Sequence, residues 1–100
     1  MFIINITYKT ELERVDQFLA EHIDFLNEQY ALGNFIASGK KVPRTGGIIL
    51  SKIEDKSLLE AIIEKDPFKA QDLADFELIQ FVPSKASEEL KYLLEVSPTK

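Results

Sequence analysis

Residues 2–8 place Phe2, Ile4, Ile6 and Tyr8 on one face and Ile3, Asn5 and Thr7 on the other, the two-residue period of a β-strand. Over residues 12–32 the period becomes helical. At about 100° per residue, Leu12, Val15, Phe18, Leu19, His22, Leu26, Gln29 and Tyr30 gather on one stripe, opposite Glu13, Glu21, Asp24, Asn27 and Glu28. Thr10 offers an N-cap oxygen, Glu11 and Glu13 suit the positive end of the helix dipole, and Gly33 stands where a left-handed residue would close the helix. Phe35-Ile36-Ala37-Ser38 predicts a second strand ending at Gly39. Residues 48–53 predict a third, and residues 76–82 a fourth, stopped by Pro83. Between the last two, Asp55 caps a second helix covering Leu58, Leu59, Ala61, Ile62 and Ile63. That helix must yield at Asp66-Pro67, because a residue before proline avoids helical angles. A short turn follows through Phe68 and Leu73. Leu90, Leu93 and Leu94 recur at helical spacing near the end, and Ser97-Pro98-Thr99-Lys100 is expected to fray.

The order β-α-β-β-α-β is that of an α+β, ferredoxin-like domain with a four-stranded antiparallel sheet and its helices on one face. The pattern places that domain at residues 1–83 and a helix with a tail at residues 84–100. Two helices cover only one face of such a sheet. Ile48-Ile49-Leu50 and Leu78-Ile79 are apolar at successive positions, so both faces of the central strands want cover. A homodimer formed by sheet-on-sheet packing is the simplest source of it.

Composition narrows the function more than the fold. With 17 acidic against 12 basic residues the net charge is −5, which opposes nucleic-acid binding, where affinity comes largely from neutralised phosphates. The third strand also lacks the aromatic platform on which an RNA-binding sheet stacks bases. No cysteine is present, which removes disulfides, thiolate nucleophiles and cysteine metal sites, and a single histidine removes any site needing several imidazoles. The apolar opening is short and follows no basic segment, so it reads as a strand rather than a leader. No 18-residue apolar run exists for a membrane span, and the cytoplasm is the expected location. Phosphate-loop, dinucleotide and nucleophile-elbow patterns are missing, so neither cofactor nor metal is expected.

The candidate chemistry is confined to a few positions, each with a structural rival. His22 lies near the middle of the apolar stripe. A lone inward histidine is more often a satisfied core residue than a catalyst, yet a partly enclosed imidazole can exchange a proton near neutral pH. In Asp66-Pro67-Phe68, Asp is a good N-cap and Pro suits the first helical position; alternatively Asp66 points at His22 and fixes its tautomer. Ser38-Gly39 and Gly46-Gly47 flank a basic loop containing Lys40, Lys41 and Arg44. Turn and bulge geometry explains these glycines. Close approach of backbone to a ligand explains them too, with Ser38 as donor and Arg44 as a counter-charge.

A His in the first helix, a Ser-Gly closing the second strand, glycine before the third, and Asp-Pro-Phe after the second helix resemble the pattern of YCII-related proteins. The resemblance spans about residues 1–83 and rests on the order and spacing of short motifs. It implies a dimeric α+β barrel, of the superfamily that includes muconolactone isomerase. It also implies that His22 and Asp66 are the proposed catalytic pair, with Ser38 nearby. Read from the residues themselves, Ser38, Gly39, Arg44 and Gly46 are the expected substrate-binding positions. The basic loop and the segment after Pro83 depart from that pattern and leave the substrate open. The expected function is a small enzyme of lyase or isomerase type, moving a proton on a small anionic organic molecule through a His-Asp pair. The alternative is a non-catalytic dimeric ligand-binding or interaction module in which the same pair is structural. An open cleft at His22 favours the first and a filled core there the second.

Overall fold

The computed structural model describes residues 1–95. Strand β1 (Phe2–Tyr8) leads to helices α1 (Leu12–Gln17) and α2 (Leu19–Ala31), then to the hairpin of β2 (Phe35–Lys40) and β3 (Gly46–Ser51). Helices α3 (Lys56–Ile63) and α4 (Pro67–Ala70) precede β4 (Ala74–Gln80), and a 3-10 helix spans Glu88–Glu95. The sheet is antiparallel throughout, in the order β2-β3-β1-β4. This is the expected ferredoxin-like α+β arrangement, with β1 and β3 central.

Register decides what each face carries. On β1, Phe2, Ile4 and Ile6 are at most 2% exposed, and on the same face Ile4 pairs with Ile49 and Leu78 while Ile6 pairs with Phe76. Helix side chains Phe25, Leu59, Ile62 and Ile63 join them in the main core, and Val15, Phe68 and Leu73 form a smaller cluster beside it. Each large side chain so buried contributes about 1.5–3 kcal/mol relative to exposure. The opposite face carries Ile3, Ile48, Leu50 and Ile79, where Ile3 pairs with both Leu50 and Ile79. Ile3, Ile48 and Leu50 are only partly buried there, and Ile79 is 45% exposed.

The long first helix departs from the expectation. It is two helices, broken at Phe18 (φ −111°, ψ 6°), whose N–H donates to Val15 O rather than one residue further back. Val15, before the break, packs in the smaller cluster, and Phe25, after it, in the main core. Phe25, outside the stripe of the sequence pattern, is buried, whereas Leu12 and Tyr30 are exposed. The N-cap of α1 is Glu11, which makes no side-chain cap hydrogen bond, so the expected Thr10 cap is not formed. Gly33 does take the left-handed conformation, φ +78°.

Strand boundaries also move. β3 starts at Gly46 and β4 at Ala74, each two residues before the pattern, and β4 ends at Gln80 instead of reaching Val82. Glycine and alanine carry little pattern signal, but the ladder with β1 continues through Gly46 and Ala74. Asp55 caps α3 as expected, accepting from Ser57 N and Leu58 N at 2.9 and 3.3 Å. In the last segment Leu93 is buried and Leu90 exposed, and the ammonium of Lys52 lies 6.0 Å from the Tyr92 ring centre. The fraying expected of Ser97-Pro98-Thr99-Lys100 lies outside the described residues. Among the described residues no helix is long and apolar enough to cross a membrane.

Candidate active site

His22 sits one turn into α2, its N–H donating to Phe18 O at 2.9 Å, so the break at Phe18 aims the imidazole. Asp66 occupies the extended residue between α3 and α4 (φ −71°, ψ 125°) that Pro67 enforces. The helix approach brings these positions, 44 residues apart, together: His22 Nδ1 lies 2.9 Å from Asp66 Oδ1. The same oxygen accepts the Phe68 N–H at 3.0 Å. The atom that caps α4 is therefore also the one that faces the imidazole.

Phe68 contributes a second constraint. Its ring stacks on the imidazole at 4.0 Å with an interplanar angle of 6°, and Tyr8 meets Phe68 edge-on at 5.9 Å. A hydrogen bond in the ring plane and a stack on its face leave the imidazole little freedom to turn. A carboxylate can only accept, so an ionised Asp66 requires Nδ1 to donate and leaves Nε2 for a ligand. Asp66 is fully buried, and its Oδ2 has no hydrogen-bond partner among the described residues. An unsatisfied buried acceptor costs about 1–3 kcal/mol, an expense that clusters where function requires it.

His22 lines a cavity of about 410 Å³ between the helices and the β2-β3 hairpin. The size suits a small organic ligand, for which pockets of about 300–1,000 Å³ are usual. Its walls are mainly apolar, from Ile6, Leu19, Leu26 and Ile49, with Tyr8 and Phe68 adding flat aromatic surface. The hairpin supplies Ser38, Gly39, Lys40, Arg44 and Gly46 to the lining, whereas Lys41 of the same loop turns away and donates to Thr7 Oγ1 at 3.1 Å. Asp66 does not line it and touches it only by way of its hydrogen bond to His22. Ser38 Oγ is 2.7 Å from Tyr30 Oη, which fixes the hydroxyl at the wall. Gly46 packs so close to β1 that a Cβ there would lie 1.8 Å from Ile6 O.

Charge is distributed unevenly. The chain carries −5, yet the cavity lining holds Lys40 and Arg44 and no carboxylate. Arg44 is ion-paired to Asp16 on α1. The hydrogen bond from Arg44 holds the Asp16 carboxyl below its ordinary range, and that same bond raises the guanidinium further. Sequence pattern gave no sign of Tyr30 or Asp16 here, since their partners are 8 and 28 residues away. Phe68 could have been noticed as the third member of Asp-Pro-Phe. No group of His, Asp and Glu able to hold a metal ion occurs among the described residues.

Comparison with known proteins bears on the family and the fold. The family model of the YCII-related domain matches residues 1–82. No curated protein sequence matches the chain. Among solved structures it is similar to 5-chloro-2-hydroxyhydroquinone dehydrochlorinase from Burkholderia phenoliruptrix AC1100, in complex with 2,5-dihydroxybenzoquinone. That likeness has a TM-score of 0.70 at 18% identity, and covers 80% of this chain and 91% of that one.

Proposed function

The chain belongs to the YCII-related family, and from that premise we propose that it is a small enzyme of the lyase or isomerase type whose His22 moves a proton on a small organic anion. The observation that carries the reading is the imidazole's position: one nitrogen is committed to a buried carboxylate, and the ring lines an open cavity. A ring packed into a filled core would instead favour a binding module.

In the proposed reaction Nε2 accepts a proton from a substrate carbon or hydroxyl, and the bond electrons pass into the substrate's conjugated system. Asp66 stabilises the resulting imidazolium through Nδ1–H without taking the proton. In a lyase the electron pair leaves with a departing group, and the imidazolium then releases its proton to that group or to water. In an isomerase the same proton returns at another atom. Ser38, its hydroxyl set by Tyr30, and the guanidinium of Arg44 would hold the substrate's oxygens. The structural neighbour is a dehydrochlorinase seen with a flat hydroxylated quinone, which supports an elimination on this class of molecule.

The test reads the chain's one imidazole directly, by following the ring nitrogens of His22 by NMR as 2,5-dihydroxybenzoquinone is added. Saturable shifts of the ring signals are expected, and a ring indifferent to the ligand would overturn the proposal.

Assembly is part of the same reading. We propose a homodimer in which the sheet face bearing Ile3, Ile48, Leu50 and Ile79 meets its counterpart, closing an α+β barrel. Such a face left open would expose apolar surface that a partner's sheet removes from water. Sedimentation at micromolar concentration should give a dimer, and a Lys at Ile79 should shift it to monomer. A wild-type protein sedimenting as a monomer would end this part of the proposal.

A further inference from the structure

The cations of the cavity are not equivalent, because one of them is already engaged by a carboxylate that stands outside it. Arg44 donates from Nη2 to Asp16 Oδ1, across from the loop to α1. The side chains of Arg44 and Asp16 are 29% and 50% exposed, so the pair lies at the mouth of the cavity, within reach of water. The guanidinium also lies 5.9 Å from the Tyr8 ring centre, which orients it over an aromatic wall. An arginine presents a planar fork of donors that matches a carboxylate or an enolate oxygen pair. A ligand anion entering the cavity would therefore meet Arg44 with its matching partner already present.

We propose that Asp16 is a built-in counter-anion that competes with the ligand for Arg44, and thereby makes it a specificity-determining residue of the cavity. The inference rests on the reading of this cavity as the substrate site and deepens it. The ligand class is a flat organic anion carrying a carboxylate or enolate, accommodated by the aromatic faces of Tyr8 and Phe68 and paired by Arg44. On binding, a ligand oxygen takes the place of Asp16 at the guanidinium, and Asp16, already half-exposed, turns to water. The exchange swaps one ion pair for another, so a neutral analogue that cannot replace Asp16 leaves the pair intact. Without Asp16 the cavity would hold two uncompensated cations and retain weakly matched anions. With it, an anion binds well only if its oxygens fit the fork better than the resident carboxylate does.

The experiment compares benzoate with benzamide, two flat probes of one shape that differ in charge, by NMR titration of the full chain. The proteins are wild type, Asp16→Asn, Arg44→Gln and the double variant. Asp16→Asn is expected to tighten benzoate by about two- to fivefold, the range for an exposed ion pair, and to leave benzamide unchanged. In the Arg44→Gln background the same substitution should change nothing, since the competition has no object. Weaker benzoate binding in Asp16→Asn would show that Asp16 holds Arg44 in place, and would overturn the proposal. Equal affinity in wild type and Asp16→Asn would overturn it as well, while benzoate shifts at the His22 ring would leave the cavity reading standing. Benzoate binding to none of the four proteins would remove the anion reading and this inference together.

Discussion

His22→Gln is expected to lower turnover by about 10²–10⁴-fold, the usual contribution of a positioned acid or base, while the protein remains folded. Glutamine keeps a polar planar end near Asp66 but cannot take up and release a proton. The fold should survive because α2 is anchored by Phe25 and Gln29, at 6% and 1% exposure, and not by the imidazole alone. Loss of the stack on Phe68 and of one hydrogen bond should cost about 1–2 kcal/mol, inside the range of ordinary substitutions. Asp66→Asn should fall between wild type and His22→Gln. Its oxygen can still accept from Phe68 N–H, so α4 keeps its cap, but the neutral amide no longer stabilises an imidazolium. Turnover equal to wild type in either protein would contradict the role assigned to the pair.

Gly46→Ala is expected to destabilise the fold by about 3 kcal/mol or more, among the largest effects a single methyl can have. Its Cβ would lie 1.8 Å from Ile6 O, 2.8 Å from Ile6 C and 3.0 Å from Thr7 Cα. These are backbone atoms of the central strand, so no rotamer relieves the overlap. β1 and β3 would have to part, and with them the ladder that places the hairpin against the cavity. Gly39 is the control, because a Cβ there meets nothing within 4 Å. Urea midpoints should therefore drop sharply for Gly46→Ala and stay within about 1 kcal/mol of wild type for Gly39→Ala. Equal midpoints for the two variants would show that the close approach is not what requires glycine at position 46.

The architecture could be read from the chain because its strands and helices differ in period. Phe2, Ile4 and Ile6 alternate cleanly, and Leu59, Ile62 and Ile63 fall on one helical stripe. The break at Phe18 was not legible, because no proline or glycine marks it and the apolar stripe runs through it unbroken. Strand starts at Gly46 and Ala74 were missed for the opposite reason, since small residues carry no period although they pair in the ladder.

The site was legible in part. His22 stood out as the one polar ring on an apolar stripe, and Asp66 as an acid fixed by a following proline. Their meeting depends on how helices pack, which no local spacing encodes. Tyr30 reads as part of the apolar stripe and Asp16 as an ordinary solvated acid, and only the returning hairpin, with Ser38 and Arg44, gives them a place at the site.

The most direct measurement of the central claim is the ¹⁵N spectrum of the His22 ring in the free protein, wild type and Asp66→Asn. With one histidine in the chain, every ring signal belongs to it. In the neutral ring the account expects the proton on Nδ1, donated to Asp66, with Nε2 bare toward the cavity, and a weakened preference in Asp66→Asn. A neutral ring protonated at Nε2, or a spectrum unchanged by Asp66→Asn, would contradict it.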